Sequence, residues 1–350
     1  MNQSTLNHRI LSFDVLRIIA AFAVILLHVS GERFYDCFPS DEWEIRNIYD
    51  SIVRWGVPIF VMISGALFLN QDKKISIKKI YSKSIIRIIY IFIFWSFCYA
   101  LYGSIIDNSF NVLYFLKSLF AGPLHLWFLK MLIGLYIAVP FLRAITKDKR
   151  LEEYFIFVAV LTAFVIPSLI TAIGLFNESA KEMALKYYNV FGIKIASGYV
   201  GYFVLGHYLY TYQLSSALKK FIYPLGLLSV IFVIILTHWY SHYAGEPCSE
   251  FYDNLNIFTL FESMTVFMMI NQLKVSANYS SIIVRMSNLS LGIYLIHMLV
   301  FRMAYNIFGI SAESFSPYYF IPCFSLIVFV TSALIVSLLK KIPIIKIFLM

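Results

Sequence analysis

Charge is scarce in this sequence. Of 350 residues only 13% are Asp, Glu, Lys or Arg, while 60% are hydrophobic, and the mean hydropathy is +0.78. Soluble domains are about 25% charged and about 45–50% apolar. A water-soluble globule of this composition would expose apolar surface everywhere, so that class is excluded. Cysteine is also sparse: four residues are too few for a disulfide-rich secreted scaffold. Aromatics are abundant instead, and 33 Phe with 25 Tyr exclude a disordered chain. An all-α, polytopic membrane bundle remains. Its 28 Lys and Arg against 19 Asp and Glu do not suggest nucleic-acid binding, because no basic stripe lies on a soluble face.

Ten apolar segments predict ten spans: 10–30, 50–69, 84–106, 122–142, 153–173, 192–212, 221–239, 255–272, 286–308 and 318–339. At about 20 residues each they take roughly 200 positions. A single integral-membrane domain over 1–350 is expected, with any chemistry inside the bundle. The first segment lacks a small-x-small cleavage pattern at Ser30-Gly31-Glu32 and is read as a retained span. Segments after even-numbered spans are basic (Lys73 to Lys83, Arg143 to Arg150, Lys219 and Lys220, Lys274 and Arg285), as are Arg9 and the tail with Lys340, Lys341 and Lys346. The other connections are acidic, with Glu32, Asp36, Asp41, Glu42, Glu44, Glu246, Glu250 and Asp253 among them. The positive-inside rule then places both termini in the cytoplasm. The longest outward segments, 31–49, 174–191 and 240–254, are candidates for a cap or a substrate mouth.

Polar groups in lipid are expensive and usually face a cavity or a partner. Asp14 and Arg17 are three apart, hence neighbours on one helix face. Arg17 and His28 are eleven apart, which at about 100° per residue is three turns plus roughly 20°. The three form one polar stripe with about 16 Å between Arg17 and His28. Arginine suits a phosphate because it stays charged and binds bidentately. Histidine suits proton exchange near neutral pH. A structural ion pair with an interfacial histidine is the simpler alternative.

The phrase Phe13-Asp14-x-x-Arg17 followed by His28 resembles the signature of the membrane acyltransferase-3 family. Further matches follow in order: Val57-Pro58-Ile59-Phe60 with Ser64-Gly65; the basic run Lys79, Lys83, Arg87; His125-Leu126-Trp127-Phe128-Leu129 with Tyr136 and Pro140; and Ser290-x3-Tyr294-x2-His297. Within the family the pattern is most similar to the short O-acetyltransferases of the enterobacterial-common-antigen type. The resemblance implies a bacterial inner-membrane enzyme. Acetyl-CoA would be donor substrate, with no cofactor, and a hydroxyl of a surface or lipid-linked glycan would be acceptor. It implies His28 as general base or transient acetyl carrier. Arg17, Lys79, Lys83 and Arg87 would bind the donor, the lysines being equally explained as topology signals.

Around that stripe, His297 and Glu262 are candidate catalytic groups. Asp14, Ser64 and Tyr294 are candidate orienting groups, and His125 with Trp127 is expected at the outer face against the sugar. Glu262 is expected to find a partner among Arg54, Lys130 and Arg302. His207 is expected only to pack. No metal site is expected: the seven histidines are scattered, and His238 and His242 straddle the end of the seventh predicted span. Cys37 and Cys248 fall in outward loops, where a disulfide is open to them. The rival function is a secondary transporter or glycan flippase, which also places charges in the membrane; the sequence shows no duplicated halves.

Overall fold

The computed structural model describes residues 9–73, 75–107, 110–191, 196, 198–273, 276–310 and 315–349. The described residues form an all-α bundle without strands. In chain order the helices are α1 (Leu11–Gly31), α2 (Asp41–Ile52), α3 (Gly56–Phe68), α4 (Ile77–Ile106), α5 (Val112–Ala121), α6 (Trp127–Ile145), α7 (Lys149–Gly174), α8 (Glu178–Phe191), α9 (Val200–Thr211), α10 (Ser216–Ala244), α11 (Ile257–Asn271), α12 (Ala277–Phe308) and α13 (Pro317–Leu339).

Their starts are written in the sequence as polar caps, which take up otherwise unpaired first-turn amides. The Ser40 side chain accepts from Trp43 N–H, Asp148 from Arg150 and Leu151, and Asn256 from Phe258. Gly245 and Gly309 stop α10 and α12 with positive φ (75° and 63°), a conformation that costs glycine little.

Eight helical stretches are long and apolar enough to cross a membrane: α1, α2 with α3, α4, α5 with α6, α7, α10, α12 and α13. Two of the ten predicted segments are not among these stretches. The segment 192–212 holds α9, 12 residues, with 192–195 and 197 outside the described residues. The segment 255–272 holds α11, 15 residues. α9 packs on α3, and α11 packs on α10, α1 and α3.

The α3–α9 crossing is the tightest approach seen at any glycine. A Cβ added at Gly65 would stand 1.7 Å from the Phe203 carbonyl oxygen, and one at Gly206 2.2 Å from that of Met62. Small residues let helices meet backbone to backbone where the lipid offers no hydrophobic drive. Gly65→Ala is expected to destabilise by roughly 1–3 kcal/mol as the helices separate, read as a lower unfolding midpoint in detergent. Gly134→Ala, with nothing within 4 Å of its added Cβ, is the control and leaves the midpoint unchanged.

α1 lies at the centre, against α2, α3, α11, α12 and α13. Residues of the segments 31–49, 174–191 and 240–254 pack together. Phe34 and Trp43 from the first, Leu175 from the second, and Phe251 and Tyr252 from the third share a second apolar cluster with Val233 of α10. Cys37 and Cys248 are free thiols in this cap. Burial raises both above the usual thiol range, Cys248 to about 11 with help from Glu250 and Glu246. Neither is a ready thiolate at neutral pH.

Candidate functional site

Asp14 is fully buried and organises the first end of α1. Its carboxylate accepts from Arg9 Nε (2.6 Å) and Nη2 (2.9 Å), from Arg17 Nη1 (3.1 Å) and from Ser287 Oγ on α12 (2.6 Å). Charge-assisted bonds of this kind fix the planar guanidinium forks. One carboxylate facing two guanidiniums leaves a net positive charge. Arg9 and Arg17 both line a cavity of about 880 Å³, together with Arg87, Arg285, Lys340 and Lys346. No acid is among the described lining residues, so this chamber favours an anion. Ser64 and Tyr136 also line it, and Ser64 donates to the Phe60 carbonyl at 2.8 Å.

Of the basic run on α4, only Arg87 reaches this cavity; Lys79 and Lys83 are exposed and do not line it. Residues Ile80–Ile85, between Lys79 and Arg87, form a π-helical turn.

The other end of α1 opens into a second cavity of about 710 Å³, lined among others by His28, Glu32, Asp50, Arg54, Glu250, Asp253 and Arg302. This chamber mixes signs. Arg54 pairs with Asp50, donates to the Tyr252 carbonyl at 2.9 Å and stacks over the Tyr252 ring at 3.8 Å. Burial raises the Glu32 carboxyl above its ordinary value, opposed by Arg46 and Arg33.

Fully buried Arg46 fixes the rim. Its Nη1 donates to the Glu32 carbonyl at 2.7 Å and reaches those of Val29 and Ser30 at 3.4 Å. Its other nitrogens bind Glu42 at 2.7 and 3.1 Å. These carbonyls are among the last of α1, which lack helical partners. Arg46 therefore caps the turn that carries His28.

Between the cavities stands a stack of rings. His28 meets His297 of α12 with centroids 5.3 Å apart, and His297 meets His125 at 5.4 Å. The Tyr294 hydroxyl donates to the His125 carbonyl, and the Tyr294 ring borders the first cavity. His297 Nδ1 lies 2.6 Å from the Tyr294 carbonyl. A carbonyl only accepts, so Nδ1 carries the proton and Nε2 presents its lone pair. His297 Nε2 and His125 Nε2 are both buried without a hydrogen-bond partner among the described residues. His125 is thus not at the outer surface: the short turn Leu124–Leu126 before α6 folds it inward, 7% exposed. Trp127 lines neither cavity and packs on Tyr199 at 5.4 Å.

Glu262 on α11 is buried, and neither carboxylate oxygen has a hydrogen-bond partner among the described residues. The expected partners are engaged elsewhere. Arg54 turns to Asp50, Lys130 donates to the Ala121 carbonyl at 2.6 Å, and Arg302 lines the second cavity. Arg54 is nonetheless the cation whose field reaches both His28 and Glu262. His207 does more than pack: it bonds Glu152 at 2.8 Å in a fully buried pair on the α7–α9 contact.

The seventh predicted span also ends later than 239. α10 runs to Ala244, so His238 and His242 sit one turn apart on a single helix, with Glu44 of α2 against both.

The helical bundle thus carries an anion-attracting chamber and a histidine-bearing chamber along one axial helix. The chain matches the family model described as "Acyltransferase domain" over residues 10–340 and belongs to that acyltransferase-3 family. It is a multi-pass membrane acyltransferase. No curated protein and no solved structure matches it.

Proposed function

We propose that the protein is an O-acetyltransferase of a bacterial inner membrane. It takes an acetyl group from acetyl-CoA on the cytoplasmic side and delivers it to a hydroxyl of a surface or lipid-linked glycan on the outer side. One domain spans the chain, both termini are cytoplasmic, and acetyl-CoA is consumed as a substrate rather than held as a cofactor. The observation that carries this reading is that α1 presents Arg17 to the cation-lined cavity and His28 to the other. The basic end of the bundle is then the cytoplasmic one.

In this reading the donor's phosphates lie among Arg9, Arg17, Arg87, Arg285, Lys340 and Lys346. The acyl-bearing arm points along α1 toward the ring stack. Two routes conserve atoms and charge. In the first, His28 takes the proton of the acceptor hydroxyl. The oxygen attacks the thioester carbonyl, the C–S bond breaks, and the CoA thiolate is reprotonated. In the second, the unprotonated nitrogen of His28 attacks the thioester carbonyl, the C–S bond breaks and the CoA thiolate leaves with the imidazole proton; the acceptor oxygen then attacks the acetyl carbonyl, the C–N bond breaks, and the hydroxyl proton returns to the imidazole. Glu262 hydrogen-bonds the acceptor or the reacting histidine, and His297 supports His28 through ring contact. His125 and Tyr294 hold the septum, and Trp127 shapes the acceptor side from a distance.

Membranes containing the protein are expected to move label from acetyl-CoA into glycolipid or polysaccharide. Substrate movement without acyl transfer would support the transporter instead. Glu262→Gln, which keeps the shape and removes the charge, is expected to slow transfer roughly 10- to 100-fold at unchanged KM for acetyl-CoA. Charged-group contacts made late in a reaction typically contribute about 1.5–3 kcal/mol. Wild-type turnover in this variant would remove Glu262 from the chemistry.

A further inference from the structure

Outside both cavities, on the rim of the cap, Glu44, His238 and His242 place one donor atom each within 4.8 Å of one another. Glu44 Oε1 lies 2.6 Å from His238 Nδ1 and 3.2 Å from His242 Nε2, and the two imidazole centroids are 4.5 Å apart. We propose that these three side chains form a binding site for a divalent cation of the zinc class. The proposal stands independently of the acyl-transfer reading.

Two imidazoles and one carboxylate make a donor set that suits borderline metals rather than Mg²⁺ or Ca²⁺. A tetrahedral zinc ion about 2.0–2.1 Å from each donor needs donors about 3.3 Å apart. The His242 contact to Glu44, at 3.2 Å, is close to that spacing and the His238 contact, at 2.6 Å, is shorter, so rotations about side-chain bonds that part His238 from Glu44 admit the ion. The i,i+4 histidine pair is held on one face of a continuous helix, and Glu44 sits in the first turn of α2, whose start is fixed by the Ser40 cap. The pocket is braced from beneath: Phe38 lies 5.2 Å and Trp43 6.1 Å from the His242 ring, and Trp43 belongs to the buried cap cluster. The three side chains keep 34–50% of their surface exposed, so an ion has free entry and a fourth position stays open to water.

A bound ion would tie α2 to α10. α2 also carries Arg46, which caps α1 beside His28, and Asp50, which lines the outer cavity. The metal is thus a clamp on the outer cap, removed from the reacting groups.

The test uses the full-length protein in detergent, purified on a tag without histidine and stripped with chelator. Zn²⁺ alone is titrated by calorimetry, and the unfolding midpoint is recorded with and without the ion. The expected result is one equivalent bound in the micromolar range and a raised midpoint, with Mg²⁺ inert. His242→Ala and Glu44→Gln should each weaken Zn²⁺ binding at least tenfold, and His238→Ala with His242→Ala should abolish the midpoint shift. All variants should match the wild type in chelator, because the side chains are solvent-exposed. Failure to bind Zn²⁺, or equal binding by wild type and variants, overturns the site.

Discussion

His28→Ala is expected to leave the protein folded and membrane-inserted while lowering acyl transfer by roughly a thousandfold or more. Positioned general bases contribute about 10²- to 10⁴-fold, and loss of a covalent carrier removes the route altogether. The size of the effect follows from where the ring sits. His28 borders the second cavity, on the last turns of α1, and its ring partner His297 does not line that cavity. His297 is committed to the Tyr294 carbonyl through Nδ1, and its Nε2 is buried. The fold is expected to survive because among the described residues no side chain pairs its charge with His28, whereas Asp14 and Arg46 anchor the two ends of α1. Protein level, detergent unfolding midpoint and transfer rate are measured together. Normal rate in a folded variant would remove His28 from the reaction. Rate and folding lost together would leave it structural, and His28→Gln, which retains the ring's approximate size and polarity, then separates the two roles.

Arg17→Ala is expected to raise the KM for acetyl-CoA roughly 10- to 100-fold with a smaller effect on kcat. A charge-assisted hydrogen bond typically contributes about 1.5–3 kcal/mol, and each 1.4 kcal/mol is a factor of ten. Asp14 holds Arg17 and Arg9 together, so the variant leaves Arg9, Arg87, Arg285, Lys340 and Lys346 to retain part of the attraction. Arg17→Lys should recover part of the loss: it keeps the charge and forfeits the bidentate fork. Arg17→Ala should also flatten the salt dependence of donor binding, because one charge fewer remains to be screened, whereas Arg17→Lys should leave it unchanged. An unchanged KM for acetyl-CoA in Arg17→Ala would detach this cavity from the donor.

The stripe on α1 was legible in the sequence because the helical period alone places Asp14, Arg17 and His28 together. The Ser290, Tyr294 and His297 face of α12 was legible for the same reason. What joins them is tertiary. Arg285, Lys340 and Lys346 read as topology charges along the chain, and only folding turns them into the lining of one chamber. Arg9 could have been found, since a guanidinium five residues before a buried acid is a plausible partner for it. Arg46 could not, because its role depends on α2 lying back across the end of α1. His125 stands at the start of a predicted span, and only the short turn Leu124–Leu126 brings its ring into the stack with His297. Lys79 and Lys83 stay exposed at the start of α4 and outside the cavity that Arg87 lines, a difference their spacing does not reveal.

The central claim is that donor and acceptor meet from opposite faces of this bundle. Sealed inverted membrane vesicles test it most directly: labelled acetyl-CoA is added outside, and the glycan acceptor is enclosed. The account predicts that label appears on the enclosed glycan in intact vesicles, at a rate abolished by His28→Ala and slowed by Arg17→Ala. Label appearing only when donor and acceptor share one compartment, or not at all with a folded wild-type protein, would contradict it.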